Sequence, residues 1–367
     1  MHRLQLHYSL SMQSSPALVR NPLIDLLQAV AQAGSISAAA RALMLSYRHV
    51  WGELKRWEDV LGHELIVWEK GQAARLTEFA DKLMWAEAQA QARLAPQIEA
   101  LRNDLERTFA VAFDDAAHVV TLYASHDDAL GRLREQALHR EQGPLHLDIR
   151  FTGSVDAIRA LNEGRCVMAG FHTQQQPAED SLAARTYKPL LQPGQHKIIG
   201  FAERKQGLIV AAGNPLNLKT LTDIQAAQAR FINRAIGTGT RVLLDELLAQ
   251  CGLSPQDLNG YGQTEPSHTA VAQAVASGAA DAGLGIELAA RTRGLGFVPL
   301  LQENYHLVCL KSALDQPAIV ALRQFLQSQT WQHDLAAMAG YQPMACGEVL
   351  SLRQTLPWWR FRDKNGH

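Results

Sequence analysis

The segment Gly237-Thr238-Gly239-Thr240-Arg241 has residue types and spacing that suit it to bind an anion. An apolar run that ends near Arg234 leads into it, and residues with helical spacing follow. The start of a helix exposes unpaired N–H groups and the positive end of the helix dipole, and glycines let a ligand approach the backbone. We therefore predict an anion pocket that includes Arg234, Gly237, Thr238, Gly239, Thr240 and Arg241. The alternative is a threonine that only caps an ordinary helix.

A second set of polar candidates lies at the carboxyl ends of predicted strands or at the starts of predicted helices. Hydroxyl and N–H groups at such positions donate hydrogen bonds to a small oxyanion or to the phosphate of a larger ligand. Helix capping is the alternative role of each serine and threonine, and Asp281 could instead brace a loop. The set comprises Ser125, His126, Thr152, Gly153, Ser154, His268 and Asp281.

Residues 117–345 show the alternation of strands and helices that would position these groups. Apolar runs over residues 118–124, 145–151 and 167–172 are separated by segments of helical spacing. This βαβαβ order predicts a parallel sheet, and such sheets bind ligands at the carboxyl ends of their strands.

The same order recurs around residues 231–236 and 281–286, which predicts two similar lobes. Strand-like segments over residues 200–213 and 297–310 are predicted to cross between the lobes and to form the hinge of a ligand cleft. The predicted effector domain spans residues 117–345, with lobe 1 at about 117–200 and 300–345 and lobe 2 at about 205–296.

Residues 18–76 have the pattern of a winged helix-turn-helix domain. A first helix is predicted to begin at Pro22 and to end at Gly34. Ser37 is the predicted cap of a short second helix, and Ser46 is the predicted cap of a third helix that reaches about Leu61. Short helices followed by a longer one are typical of DNA-binding helix-turn-helix proteins.

The predicted third helix is locally basic, although the whole chain has a net charge of −1. Four basic residues and one glutamate lie between Arg41 and Arg56, a local charge of +3. A strand-like run, a turn at Gly71 and a second short strand then predict a wing. A solvated helix face is the alternative explanation of the basic residues. The predicted DNA contacts are Ser37, Ser46, Tyr47, Arg48, His49, Lys55, Arg56, Lys70 and Arg75.

Residues 77–110 are predicted to form a long linker helix. Its sparse apolar seam has near-heptad spacing, which predicts a dimer contact. The alternative is that the seam packs on the rest of its own chain. Pro96 removes one hydrogen bond and is expected to kink or split the helix. The last segment, residues 346–367, is predicted to be a C-terminal tail.

The stretches Gly34–Leu43 and Ser46–Trp51 resemble the winged helix-turn-helix of the molybdate-responsive repressor family. They are also similar to the corresponding part of LysR-type regulators. The resemblance covers residues 20–108 and implies that the third helix and the wing hold double-stranded DNA. It also implies that the linker helix forms a homodimer, with a tetramer as the larger alternative assembly.

A second resemblance covers residues 205–310. The stretches Gly213–Leu216, Asn233–Arg241, Thr264–Ala272 and Ala279–Gly285 are similar to a periplasmic-binding-protein-like domain. That domain is found in molybdopterin-biosynthesis proteins and in bacterial regulators. The resemblance implies an α/β fold, in which a winged helix-turn-helix and a linker helix precede a two-lobed type II periplasmic-binding-protein-like domain.

Composition excludes several other classes of protein. Charge is nearly balanced, with 35 basic and 36 acidic residues, so no global field attracts a polyanion. The four cysteines are widely spaced, which argues against a zinc site and a disulfide scaffold and favours a cytoplasmic setting. No apolar run approaches the ~20 residues that span a membrane.

We therefore predict a cytoplasmic, dimeric, ligand-responsive transcription regulator without a cofactor or catalytic residues. Its predicted effector is a molybdate-like or tungstate-like oxyanion, or a molybdopterin-type molecule. One alternative is a ligand-binding or enzyme component of molybdenum-cofactor metabolism. Another is a dimeric DNA-binding protein whose cleft has lost its ligand.

Overall fold

A computed structural model describes residues 21–68, 73–113, 118–140 and 143–359. The chain divides into two compact units, Met1–Ala95 and Pro96–His367. No single helix in the described ranges is long and apolar enough to cross a membrane. The pair Pro22–Ala33 and Ile36–Ala42, bent by 116°, meets the same criteria of length and composition when the two are taken together.

The first unit is a winged helix-turn-helix, as predicted. Its strands β1 and β2 pair antiparallel, with Ile66 opposite Leu76. A long helix, α4, begins in this unit and continues into the second. The elements are α1 (Pro22–Ala33), α2 (Ile36–Ala42), α3 (Tyr47–Leu61), β1 (Ile66–Val67), β2 (Arg75–Leu76) and α4 (Glu78–Phe113).

Local sequence explains where these helices begin and end. The Asn21 side chain caps α1 by accepting a hydrogen bond from the N–H of Leu23, and Gly34 ends α1 with a φ of 64°. The Ser46 hydroxyl caps α3 in the predicted way. The predicted cap of α2 is wrong by two residues: Ser35 accepts from the N–H of Ala38, and Ser37 lies inside the helix.

The linker helix α4 runs without a break through Pro96, so the predicted split of the helix at that residue does not occur. The hydroxyl of Thr77 accepts a hydrogen bond from the N–H of Ala80 and so stabilises the start of the helix. The helix also extends past the predicted end at residue 110, to Phe113.

The second unit contains a mixed sheet with helices on its faces. The sheet order is β4-β3-β5-β10-β6-β9-β7-β8, and β11 and β12 also pair with β6. The strands are β3 (His118–Ala124), β4 (Leu145–Phe151), β5 (Met168–Gln174), β6 (His196–Val210), β7 (Phe231–Arg234), β8 (Thr264–Glu265), β9 (Ala282–Ile286), β10 (Gly296–Leu310), β11 (Tyr341–Pro343) and β12 (Val349–Ser351). The helices are α5 (Asp128–Ala137), α6 (Ser154–Asn162), α7 (Leu182–Tyr187), α8 (Leu221–Ala226), α9 (Gly239–Gln250), α10 (His268–Ala276), α11 (Glu287–Thr292), α12 (Pro317–Gln327), α13 (Gln329–Ala337) and α14 (Leu352–Thr355).

The strand directions confirm the predicted two-lobed plan. On one side β3 lies parallel to β4 and β5, and on the other side β7 lies parallel to β8 and β9. The two 15-residue strands β6 and β10 run antiparallel to each other through the centre of the sheet. β10 also pairs with β5 on one side, and β6 also pairs with β9 on the other. The first crossing strand begins and ends a few residues before the predicted segment 200–213, because β6 covers His196–Val210.

Candidate ligand cleft and DNA-binding surface

The turns that precede α6 and α9 come together although they belong to different lobes. Gly153 is the N-cap of α6 and has no side chain to satisfy the first N–H groups of that helix. Gly237 precedes α9 and has a φ of 85°, a left-handed conformation that favours glycine. The backbone of Gly153 lies directly against that of Gly237. These two predicted ligand-binding turns therefore face each other.

The two threonines of the glycine-rich turn have different partners. The Thr238 hydroxyl donates to the carbonyl of Ala235 at 2.8 Å and accepts from the N–H of Arg241, so it acts as a helix cap. The Thr240 hydroxyl accepts from Nε2 of Gln206, on β6, at 3.1 Å. The turn is thus attached to one of the crossing strands.

Arg241 is held by side chains of its own lobe. Its guanidinium stacks on the Tyr261 ring, 3.9 Å from the ring centre, and its Nε donates to the Tyr261 hydroxyl at 3.2 Å. Asp245, one helical turn further along α9, lies 3.4 Å away. These contacts orient Arg241 along the surface of α9 and partly satisfy its charge.

Arg234, at the end of β7, is a buried cation. It is 1% exposed, and in the described part of the chain its Nε has no hydrogen-bond partner. One terminal nitrogen lies 3.4 Å from the carbonyl oxygen of Glu265. Burial and the neighbouring charge of Arg204 lower the pKa of Arg234 to about 9, although Asp127 opposes the shift. A buried cation in this condition is stabilised by an added anion.

Arg204, on β6, joins three elements through a buried network. Its guanidinium bonds Asp127, after β3, and Glu303, on β10. Asp127 also accepts from the hydroxyl of Tyr341 at 2.8 Å, and Glu303 accepts from Nε2 of Gln206 at 3.0 Å. Burial alone lowers the pKa of Arg204, but the two carboxylates outweigh it and raise the pKa.

The Arg204 network was not among the predicted sites. The signal in the sequence was a set of charged residues inside the two predicted crossing strands, where side chains on both faces are buried. Charged groups there have to pair with one another.

Two buried histidines lie beside these arginines. His172, on β5, is 4% exposed, and His268, at the first residue of α10, is 2% exposed. Within the described residues both ring nitrogens of His172 and Nδ1 of His268 have no hydrogen-bond partner. Burial, assisted by the charges of Arg204 and Arg234, holds the pKa of each histidine well below its usual value. Both rings are therefore neutral; His268 was a predicted ligand and His172 was not.

The remaining predicted ligands lie on the lobe 1 side or away from Arg234. The hydroxyls of Ser125 and Ser154 are buried and lie 3.4 Å apart. The N–H of Thr152 donates to the carbonyl of Ala124 at 2.8 Å, which aligns the turn before α6. The carboxylate of Asp281 is engaged by Arg230 at 2.6 Å, so its geometry matches the bracing role.

His126 faces another region, a cavity of about 460 Å³ next to the linker helix. Its Nε2 lies 3.5 Å from Glu99 of α4. The cavity is mostly acidic and is lined by residues that include Glu99, His126, Asp127, Asp128, Glu135 and Asp334. Among the residues that the structure describes, no group of three or more His, Cys, Asp or Glu side chains is arranged to hold a metal ion.

The predicted DNA contacts that the structure describes are exposed residues of the first unit. Tyr47, Arg48 and His49, in the first turn of α3, are exposed, as are Ser37, Ser46 and, on the wing, Arg75. Lys55 pairs with Glu58 at 2.6 Å and Arg56 with Glu53 at 2.5 Å on the same helix. Lys70 lies outside the described residues.

Two protein families match the chain. Residues 23–81 match the bacterial regulatory helix-turn-helix protein family, lysR family, and residues 135–327 match the PBP superfamily domain. The first match covers the winged unit with the start of α4, and the second covers the larger part of the sheet with the proposed cleft.

Relatives also match in sequence and in fold. The uncharacterized protein YvgK of Bacillus subtilis (strain 168) is 34% identical over 224 residues, which cover 61% of this chain and 70% of YvgK. An uncharacterized protein from the ferredoxin 2Fe-2S gene 5′ region of Clostridium pasteurianum is 32% identical over 111 residues, 30% of this chain and 98% of that protein. The crystal structure of full-length BenM aligns over 85% of this chain and 96% of its own, with 15% identity and a TM-score of 0.43. The chain belongs to the PBP superfamily and, with its lysR-family helix-turn-helix, is a DNA-binding, ligand-responsive transcription regulator of LysR type.

Proposed function

We propose that this regulator responds to a small anionic ligand bound between its two lobes. The candidate ligands are a molybdate-like or tungstate-like oxyanion and the phosphate end of a molybdopterin-type molecule. The observation that carries the proposal is Arg234, a buried cation whose Nε lacks a partner among the described residues. An anion supplies both the missing charge and the missing hydrogen-bond acceptor.

Helix starts near Arg234 favour the same kind of ligand. The first residues of α9 lie against His172, since a Cβ on Gly239 would be 3.1 Å from Nδ1 of that ring. His268 is itself the first residue of α10, and the charge of Arg234 lowers its pKa more than the charge of Arg204 does. Both helices have nine or more residues, so each presents the positive end of a full helix dipole.

We assign Arg234 and His268, together with the turns at Gly153–Ser154 and Gly237–Thr240, as the ligand-binding set. We add His172 to this set because its ring lies against Gly239 at the start of α9. Arg241 is assigned to positioning of α9, because Tyr261 and Asp245 already hold its guanidinium. Asp281 is assigned to bracing, because Arg230 holds its carboxylate.

The DNA-binding part of the proposal concerns the first turn of α3 and the wing. We propose that residues 18–76 bind double-stranded DNA and that residues 77–110 join two copies of the chain. Several apolar side chains on α4 are more than a third exposed, which supports a helix-to-helix contact. They are Trp85, Leu101, Leu105 and Phe109.

Replacement of the two arginines tests which of them holds the anion. Sodium molybdate, sodium tungstate, sodium sulfate and inorganic phosphate are titrated into the full-length protein by calorimetry, with thermal unfolding in parallel. A ligand at 100 times its Kd stabilises the native state by about 2.7 kcal/mol. We expect Arg234→Met to abolish that stabilisation for every anion that binds, and Arg241→Ala to retain most of it.

Comparison of Arg234→Met with Arg241→Ala tests whether Arg234 binds the anion and Arg241 only positions α9. Arg234→Met should leave the ligand-free protein as stable as the wild type or more so, because it removes a buried charge that forms no ion pair with a carboxylate among the described residues. Normal ligand stabilisation in Arg234→Met, with loss in Arg241→Ala, would transfer the anion site to Arg241.

A further inference from the structure

The charges around Arg234 leave no net positive charge, and this limits what the proposed site can bind. Arg204 and Arg234 are the positive groups, and Asp127, Asp128 and Glu303 are the carboxylates. Arg204, Arg234, Asp127 and Glu303 are almost completely buried. The inference below rests on the proposed function, because it concerns the same anion site.

A doubly charged oxyanion would therefore enter a site that has no net positive charge to offset it. Charges buried without compensation cost several kcal/mol each, and titratable groups nearby change their protonation state instead. Asp127 and Glu303 are already bonded to Arg204, and Asp128 borders the separate cavity beside α4. The groups that can respond are therefore the neutral imidazoles of His172 and His268, each of which has a ring nitrogen without a partner among the described residues. We propose that His172 and His268 each take up a proton when a dianion binds, so that the cleft binds the oxyanion together with protons.

The surroundings of His172 fit this role. Its ring centre lies 4.0 Å from that of Tyr305 on β10, and it stands at the start of α9. The cations that act on it are Arg204 on β6 and Arg234 on β7, and a proton on His306 of β10 would add to their effect. All of these disfavour a proton on His172 in the ligand-free protein, together with burial. A bound anion reverses the sign of the local field.

The surroundings of His268 are similar. Arg234, Arg204, His172 and His126 all disfavour its protonation, and burial contributes most. Its Nδ1 lies near β9, where a Cβ on Gly285 would be 3.3 Å away. The nitrogen has no partner in the described ranges, so a proton placed there is free to be donated to a ligand oxygen.

His306 supplies an internal control. It is also buried, and burial lowers its pKa to about 3. Its Nε2 lies 3.0 Å from the hydroxyl of Thr173, and Arg204 and Arg234, which act on His172 and His268, do not contribute to its shift. We expect His306 to stay neutral when an anion binds.

The test is calorimetry of the full-length protein with sodium molybdate in buffers of different ionisation enthalpy. The dependence of the measured heat on the buffer gives the number of protons taken up, which we expect to lie between one and two. The affinity for molybdate should fall as the pH rises from about 6 to about 8, a range in which molybdate stays doubly charged. The expected fall is up to about tenfold per pH unit for each proton that is taken up with the anion. Perrhenate, a tetrahedral oxyanion with a single charge, should take up about one proton fewer.

Variants assign the protons to residues. His172→Gln and His268→Gln should each reduce the molybdate proton count by about one, whereas His306→Gln should leave it unchanged. Unfolding curves identify any variant that does not fold, and the comparison of molybdate with perrhenate on the wild-type protein does not depend on the variants. Molybdate binding without proton uptake would overturn this inference but leave the anion site standing. Failure of every tested anion to bind at any pH would overturn both.

Discussion

The backbone of Gly153 lies so close to that of Gly237 that a Cβ on Gly153 would be 2.6 Å from the Gly237 carbonyl oxygen. Real Cβ atoms do not come this close to backbone atoms, so only glycine fits at residue 153 with the lobes in this arrangement. The φ of Gly153 is −66°, which any residue adopts, so the restriction comes from the opposite lobe and not from local backbone geometry.

Gly153→Ala should therefore hold the lobes apart and weaken anion binding by tenfold or more. Forcing an extra methyl group into a packed contact typically costs about 1–3 kcal/mol. Gly153→Ser should behave in the same way, although serine is a better N-cap, because it carries the same Cβ. Gly131→Ala, in the interior of α5, meets nothing within 4 Å and should retain wild-type affinity. Calorimetry with molybdate measures the change, and normal affinity in both Gly153 variants would mean that the lobes need not close for binding.

The stability of the ligand-free protein should fall as the pH falls below about 6.5, the ordinary pKa of histidine. His172, His268 and His306 have lowered pKa values in the folded state, so the unfolded chain binds more protons in this range. Each of these histidines lowers the free energy of unfolding by about 1.4 kcal/mol for every pH unit below about 6.5. Urea unfolding between about pH 5 and about pH 8, in a buffer free of oxyanions, measures how the free energy of unfolding changes with pH. We expect His306→Gln to flatten the curve, and an unchanged slope would show that this histidine is protonated in the native state.

Arg48→Ala should weaken binding to duplex DNA by about tenfold and reduce the slope of log K against log salt by about 0.9 if Arg48 contacts a phosphate. Its side chain is exposed in the first turn of α3, and no ion-pair partner is found in the described part of the chain. Lys55→Ala should have a smaller effect, because Glu58 already neutralises Lys55. Fluorescence anisotropy with random-sequence duplex DNA measures all three proteins, with Arg291→Ala as a control for loss of one charge from the second unit. Equal salt slopes in Arg48→Ala and the wild type would remove Arg48 from the interface.

The double substitution Leu101→Glu and Leu105→Glu should convert the proposed dimer to a monomer. These side chains are 58% and 38% exposed and lie one turn apart on α4, so charges there would repel their counterparts in a second copy. Leu216→Glu changes an exposed leucine elsewhere and should leave the assembly intact. Sedimentation velocity gives the mass. A dimer that survives the double substitution would place the contact on another surface.

Regular patterns in the sequence predict the fold well because they reflect local chemistry. The strand-forming runs at His118–Ala124 and Leu145–Phe151 are confirmed to the residue. Both runs are rich in apolar residues, and residues typical of turns bound each of them in the sequence. The cap of α2 was misplaced because Ser35 and Ser37 are both acceptable caps, and the choice depends on how Ile36 packs.

The site was harder to predict, because its residues come from distant parts of the chain. Arg204 meets Asp127 across 77 residues, and it meets Glu303 across 99 residues through the pairing of β6 with β10. The sequence predicted both Arg234 and Arg241 as ligands and did not separate them. The stacking partner of Arg241, Tyr261, lies 20 residues further along and could not be identified from spacing.

The position of β10 between β5 and β6 has a consequence for synthesis of the protein. The helices α1 to α3 and the wing are complete within the first 76 residues, so a DNA-binding head can fold soon after it leaves the ribosome. The central strand of the sensor is made only when residues 296–310 have been translated. A nascent chain, or one shortened before Gly296, would therefore contain the complete helix-turn-helix but not the complete sheet that forms the ligand cleft.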